Sequence, residues 1–284
     1  TIAVVTNVEP DHLDFYGTAE AVYASFDSFT ALLPADGVLV ACADDPGARA
    51  LAERTLARGN TRVVLYGTAD DAAIRLHDAG VGRVGISTTA GTFDVELQVP
   101  GRHNALNAAA AFAVAIELGV APDTAAAALA HFSGASRRFE FKGEGRGVRV
   151  YDDYAHHPTE VRAALSAARA VAGEHKVHVL FQPHLFSRTR EFAREFAEAL
   201  NTADTALVLD IYPAREDPIP GVTSGLIAEH LDSGGRLVGP DGEAVQALLA
   251  AAGPGDIVLT AGAGDVTAYG PLVVEALTAE AAGA

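Results

Sequence analysis

The densest run of chemistry-bearing side chains in the chain is Asp152-Asp153-Tyr154-Ala155-His156-His157-Pro158-Thr159-Glu160. Carboxylates, a phenol and imidazoles in one short stretch could hold a ribose, an amine or a metal ion. The stretch alone does not choose among these, and a polar loop with a helix cap is the plainer reading. A second run, Phe181-Gln182-Pro183-His184-Leu185-Phe186-Ser187-Arg188-Thr189-Arg190, sets two arginines beside a histidine. The helix dipole disfavours cations at a helix start, so Arg188 and Arg190 favour an anionic counterpart, a carboxylate or phosphate, over surface ion pairing. Near the start, Glu9, Asp11, His12 and Asp14 are hard or borderline metal ligands, a weak signal because acids also cap helices. In Pro100-Gly101-Arg102-His103-Asn104-Ala105-Leu106-Asn107 the side-chain amides of Asn104 and Asn107 could cap backbone or read a planar heterocycle. Gly262-Ala263-Gly264 resembles a phosphate-binding turn only loosely, and a tight turn accounts for it equally well.

The elements around these residues have to bring them together. Gly147 to Tyr151 reads as a strand, and the Ala/Leu-rich stretch from Val161 to Val171 as a helix, with Thr159 at the cap or in the first turn. From there the pattern is β-α-β-α. Strands are expected at 147–151, 176–181, 205–210, 236–238 and 256–261, and helices near 159–171, 190–200, 223–232, 241–252 and 270–281. Apolar strands between amphipathic helices give an α/β domain with a mostly parallel sheet covered on both faces. Loops after its strands, including Tyr212-Pro213-Ala214, then share one edge and could line one cleft. The first half reads as strand 1–7, helix 19–33, strand 37–43, helix 48–58 and strand 62–66. Alternating Phe93, Val95 and Leu97 suggest an edge or hairpin strand. A long helix follows at 105–118 with Asn104 as its N-cap, then a helix at 122–131. Ser136-Arg137-Arg138-Phe139-Glu140 is the expected junction between two domains.

Composition narrows the function classes. With 284 residues, 49% of them hydrophobic, the chain can build two cores. A net charge of -17 disfavours a basic nucleic-acid surface. No apolar run is long enough for a membrane helix. Cys42 is the single cysteine, so no disulfide framework exists and a reducing compartment is the default. The chain opens inside a strand pattern and contains no methionine, so it is expected to be a fragment of a longer protein.

Taken together, the motifs resemble those of the peptidoglycan Mur ligases over nearly the whole chain. The resemblance rests on Thr6-Asn7-Val8-Glu9-Pro10-Asp11-His12-Leu13-Asp14, Gly101 to Asn107, Arg137-Arg138-Phe139, Asp152 to Pro158, Gln182-Pro183-His184 with Arg188-Thr189-Arg190, and Tyr212-Pro213-Ala214. The paired histidines with Gln-Pro-His point to the alanine-adding branch. The resemblance implies that residues 1–138 are the C-terminal part of a central ATP-binding domain. Residues 139–284 are then a C-terminal Rossmann-like amino-acid-binding domain. It implies a cytoplasmic ligase that uses ATP and Mg2+ to join L-alanine to the carboxylate of UDP-N-acetylmuramate through an acyl phosphate. His12 is then the magnesium ligand, and His103, Asn104 and Asn107 are the adenine-side contacts. Arg138 and Asp153 hold ribose and phosphates, with Asp152 the alternative for that contact. Tyr154, His156, His184, Arg188 and Arg190 wall the amino-acid and acyl-phosphate site. The family's Gly-x-x-Gly-Lys-Thr/Ser phosphate loop does not occur in these 284 residues, so this polypeptide alone is expected to be inactive. Leu185, Ala155 and Asp265 depart from the family pattern, which more often has a basic residue, Gly and Asn there. Two other readings stay open: a ligase that adds a recycled peptide to the same sugar nucleotide, and a non-catalytic nucleotide-binding fragment.

Overall fold

A strand with apolar side chains on both faces needs cover on both faces, and the chain satisfies this twice. The computed structural model describes residues 1–59, 61–78, 82–240 and 242–282. It divides into two units, Thr1–Ser133 and Gly134–Ala284.

In the first unit the elements are β1 (Ile2–Val5), α1 (Leu13–Tyr16), α2 (Ala19–Ala31), β2 (Val38–Cys42), α3 (Pro46–Ala57), β3 (Arg62–Gly67), β4 (Ile74–Asp78), β5 (Arg83–Thr88), β6 (Gly91–Glu96), α4 (Arg102–Glu117) and α5 (Pro122–Leu129). The strands lie in the order β1-β2-β3-β4-β5-β6. The first four are parallel, and β4, β5 and β6 continue as an antiparallel meander. Every residue of β2 is buried, Cys42 included. Its two following aspartates are structural. Asp45 caps α3 by accepting from the Ala48 N–H, with Pro46 in the first turn, and it also holds the Val8 N–H. Asp44 accepts from the N–H groups of Thr68 and Ala69 beyond β3. Several details differ from the expectation, among them the short helix α1 and the strand β5, which were not expected. The strand β4 was not foreseen: in Ile74-Arg75-Leu76-His77-Asp78 only two residues are apolar, too short an alternation to stand out, and the strand joins β3 through only two residue pairs. Asn104 is not the N-cap of α4: the helix begins at Arg102 behind Gly101, and the Asn104 amide instead donates to the Pro100 carbonyl at 2.7 Å.

The second unit runs β7 (Glu140–Gly145), β8 (Val148–Asp153), α6 (Pro158–Ala172), β9 (Val177–Phe181), α7 (Phe186–Leu200), β10 (Thr205–Val208), α8 (Gly225–Ala228), β11 (Gly235–Leu237), α9 (Gly242–Ala251), β12 (Ile257–Ala261), a 3-10 turn at Asp265–Ala268 and α10 (Tyr269–Ala282). The strand order is β11-β10-β9-β12-β8-β7, parallel except for the β7–β8 pair. One face packs on α6 and α7 through residues such as Val161, Leu165, Phe181 and Phe196, and the other on α9 and α10 through Val150, Leu180, Leu248 and Val273. The expected α/β architecture is therefore present. The edge strand β7, Glu140-Phe141-Lys142-Gly143-Glu144-Gly145, was not foreseen because it is charged and glycine-rich. It bulges between Phe141 and Gly143, where Gly143 has φ +146 and lies against Val274. The helix expected at 223–232 is only the four residues of α8.

At the edge of this sheet where β9 and β12 begin, His178 and Asp256 form a buried pair at 3.1 Å. Burial pushes the Asp256 carboxyl up. The Gly253 N–H, the His178 ring and the Lys176 N–H outweigh it and hold the group below the usual carboxylate range. Asp204, exposed at the surface but accepting from the Val177 N–H and paired with Arg169, is lowered in the same net sense. A carboxyl whose folded pKa is depressed contributes stability above its unfolded value of about 3.9, lost as pH falls through the folded value. The melting temperature should therefore drop steeply as pH falls below about 4. The Asp256→Asn variant should melt lower than wild type at neutral pH and show a shallower drop in the same acid range, as measured by circular dichroism melts.

Candidate functional site

The carboxyl ends of β8, β12, β9 and β10 carry the polar loops of the second unit, and their contacts show which side chains meet there. Asp152 has no side-chain exposure. It accepts from the Thr260 hydroxyl at 2.7 Å, the Thr267 hydroxyl at 2.8 Å and Arg137 Nε at 3.1 Å. Asp153 accepts from the Phe139 N–H at 2.9 Å and the Ala155 N–H at 2.8 Å. Burial pushes its carboxyl up to about 6, against the opposing pull of those two N–H groups and of Arg138, with Glu160 adding to the rise. Both carboxylates are thus turned inward and shape the loop that follows them.

That loop leads into α6 through a capping box. The His157 side chain accepts at the first turn, and Glu160 accepts from the N–H groups of His156 and His157. Thr159 lies in the first turn, as expected. His156 Nδ1 lies 2.9 Å from the Tyr154 carbonyl and 3.2 Å from Glu160 Oε2. Both partners only accept, so Nδ1 carries the proton and the lone pair of the neutral ring is on Nε2. His184 has the opposite tautomer. Arg188, which only donates, lies 3.4 Å from His184 Nδ1, so the His184 proton is on Nε2. Burial pushes the His184 imidazole down to about 4, helped by the charge of Arg188, by His156 and by Arg215, with Glu216 opposing. The two rings meet edge to face with centroids 6.1 Å apart, and His184 stacks on Tyr212 at 5.8 Å. The pairing of the His184 and Tyr212 backbones joins the ends of β9 and β10.

The site residues expected from the sequence are only partly brought together. Tyr154, His156, His184 and Arg188 form one group, Arg188 being buried within the first turn of α7. Arg190 is exposed, two positions along the helix and turned away from Arg188. Arg138 is about half exposed, 3.8 Å from Glu160, and its guanidinium lies 5.7 Å from the Tyr154 ring centroid. Gly264 approaches so closely that an added Cβ would sit 2.3 Å from Gln182 Oε1 and 2.7 Å from the Tyr212 ring. The glycine run is therefore packed against its own chain. Gln182 is fixed in turn, donating to Asp265 at 2.7 Å and accepting from the Val266 N–H at 3.1 Å. Sequence reading missed two site residues: Arg137, described below, and Glu216, which takes the Ser187 N–H and hydroxyl at the start of α7.

In the first unit, His103, Asn104 and Asn107 lie in the first turn and a half of α4, with Asn107 exposed. The neighbouring Arg102 pairs with Asp44 at 2.7 Å. His12 adopts a left-handed backbone, φ 53, at the start of α1, and its Nε2 is 3.5 Å from Asp11. The Asp14 side chain lies outside the described residues. Among the described residues no three His, Cys, Asp or Glu side chains converge as a metal group. His12 and Asp11 by themselves make no protein cage for a metal ion.

A side-chain amide cannot replace the Asp153 carboxylate, because its nitrogen would face one of the two backbone N–H donors. Asp153→Asn should lower the unfolding free energy by about 1–3 kcal/mol in denaturant titrations. In the wild type, carbon-detected NMR should find Asp153 titrating near pH 6 and His184 staying neutral down to about pH 5.

Comparison with known proteins places the chain. A Mur ligase middle-domain model matches residues 1–115, and a model described as the Mur ligase glutamate ligase domain matches residues 137–264. The UDP-N-acetylmuramate–L-alanine ligase of Arthrobacter sp. strain FB24 is 82% identical over 282 residues, covering 99% of this chain and 60% of that protein. The protein of the same name from Renibacterium salmoninarum is 62% identical, again with 99% and 60% covered. The crystal structure of UDP-N-acetylmuramate–alanine ligase from Thermotoga maritima superposes with a TM-score of 0.71 at 25% identity, covering 97% of this chain and 59% of that one. The chain spans about 60% of the length of the curated relatives it matches. Two Mur ligase domain models matched in series, over a fold shared with a solved ligase of that group, show that the chain belongs to the Mur ligase family.

Proposed function

We propose that these residues belong to a cytoplasmic, ATP-dependent ligase that joins L-alanine to the carboxylate of UDP-N-acetylmuramate in cell-wall precursor synthesis. The observation that carries this reading is the 82% identity, across 99% of the chain, to a relative bearing that name. No described helix is long and apolar enough to cross a membrane.

The chemistry fits the histidine–arginine group. A carboxylate is a poor electrophile, so ATP converts it to an acyl phosphate, and the alanine amine then displaces phosphate. A magnesium ion, held on this chain by His12, would offset phosphate charge. His103, Asn104 and Asn107 are the proposed adenine-side contacts. Arg138 is the proposed contact to ribose and phosphates, with Asp153 supporting it through its grip on the Phe139 N–H. Arg188, buried and charged, is suited to the alanine carboxylate, and Arg190 on the outer face of α7 to a more distant anion. The amine must lose a proton before it attacks, and the His156 Nε2 lone pair is suited to take it. His184, held neutral with its proton on Nε2, is suited to donate a hydrogen bond to the carboxylate or the departing phosphate. Tyr154 forms the wall beside His156.

The full-length gene product should release phosphate from ATP only with both UDP-N-acetylmuramate and L-alanine present. Faster turnover with a recycled tripeptide than with L-alanine would replace this reading by the peptide-recycling one. ADP binding without any turnover would leave a non-catalytic nucleotide-binding protein. Arg188→Lys should raise KM for L-alanine roughly tenfold or more, since a two-point contact becomes a single one. His156→Gln should lower kcat by about two to four orders of magnitude and abolish the acid limb of the pH–rate profile. Unchanged kinetics in either variant would remove that residue from its role.

A further inference from the structure

Arg137 makes more interactions than any ligand-facing role requires. Its backbone is left-handed at φ 57, and Phe139, two residues on, is left-handed at φ 50. A left-handed backbone is strained for any non-glycine residue and persists only where its surroundings dictate it. Here they do. The Arg137 N–H donates to Glu140 at 2.8 Å, and its carbonyl accepts from the Tyr154 N–H at 2.7 Å. Its Nε donates to the buried Asp152 at 3.1 Å, and its Nη2 donates to the Gly262 carbonyl at 2.6 Å. Its guanidinium carbon lies 4.9 Å from the Tyr154 ring centroid, within cation–π range. One side chain therefore ties together the segment before β7, the loop after β8 and the turn after β12.

The adjacent Arg138 does the reverse. Its side chain is 52% exposed, against 22% for Arg137, and it reaches Glu160 and the same tyrosine ring from a longer distance. In a chain of ordinary backbone, consecutive side chains would be free to exchange these roles. The left-handed turn at Arg137 assigns them. We propose that Arg137 is a positioning residue: it fixes Tyr154 and presents Arg138 to the ligand of the β8 loop without contacting that ligand itself. Lysine cannot substitute. It keeps the charge but has no planar fork to bridge Asp152 and the Gly262 carbonyl while lying on an aromatic ring.

The structural half of this inference is independent of the proposed reaction, and only its kinetic half rests on that reading. The test uses the full-length protein labelled with 3-fluorotyrosine, the Tyr154 resonance being assigned through Tyr154→Phe. Arg137→Lys should shift the Tyr154 resonance in the ligand-free protein and leave the other tyrosines in place. It should also lower kcat/KM roughly ten- to hundredfold. An unmoved resonance would overturn the proposal, as would a moved resonance with kcat and KM within about twofold of wild type. A second pair of variants separates positioning from simple charge compensation. Arg137→Met strands the buried Asp152 charge and should melt lower. Adding Asp152→Asn should recover the melting temperature but not kcat. Recovery of both together would reduce Arg137 to a counter-ion and overturn the proposal. Absence of L-alanine-dependent turnover in the wild type would instead remove the reaction assigned above while leaving the resonance result to stand or fall alone.

Discussion

Two carboxylates buried at the end of β8 have to be satisfied from within the protein, and much of the second unit is arranged to do so. Asp152 draws hydroxyls from Thr260 on β12 and Thr267 in the turn beyond it, and a guanidinium from the segment ahead of β7. Asp153 draws backbone N–H groups from both sides, Phe139 before the sheet and Ala155 after it. Leaving any one of these acceptors unanswered would cost about 1–3 kcal/mol, more for a charge. The left-handed residues at Arg137 and Phe139 are the backbone's accommodation to that demand. The loop carrying Tyr154 and His156 is therefore rigid for reasons unrelated to its ligand, which is what a preorganised site requires.

The same network divides labour among residues of the same type. Of two adjacent aspartates, one binds side chains and the other backbone. Of two neighbouring histidines, a carbonyl and a carboxylate fix one tautomer and an arginine fixes the other. Arg188 and Arg190 are separated by their places on a helix. In each pair the chemistry is set by neighbours, not by the residue, so a site of few residue types can offer a proton acceptor, a neutral donor and a fixed cation at once.

This explains how far the sequence could be read. The strands β2, β9 and β12, buried along their whole length, are continuous apolar runs and were found within a residue or two. The inner strand β4, with three charged or polar residues in five and a short ladder to β3, and the edge strand β7, charged and glycine-rich, carried too weak an apolar signal to be read as strands. The polar loops were visible as clusters, since tyrosine, histidine and aspartate rarely gather without cause. Side-chain direction was not visible. Helix α7 begins four residues earlier than its periodicity suggested, behind Leu185 at φ 73. With that start known, the opposed faces of Arg188 and Arg190 follow from helix geometry alone. The inward turn of Arg137 had no such signal, because a left-handed arginine is dictated by contacts distant in sequence.

The placing of β12 has a consequence for how the unit comes into being. It is the last strand in the chain, yet it lies between β9 and β8, bonded to both. Until it arrives, β8 and β9 have no common neighbour, and Asp152 lacks both of its threonines. As the polypeptide leaves the ribosome, everything up to α9 can be present while the sheet is still in two parts with unpaired inner edges. Such edges are prone to wrong pairing and aggregation. Closing them depends on contacts spanning a hundred residues or so, the kind that makes folding slow. The site and the sheet are thus completed in the same late event, when the strand ending at Ala261 slots into the middle.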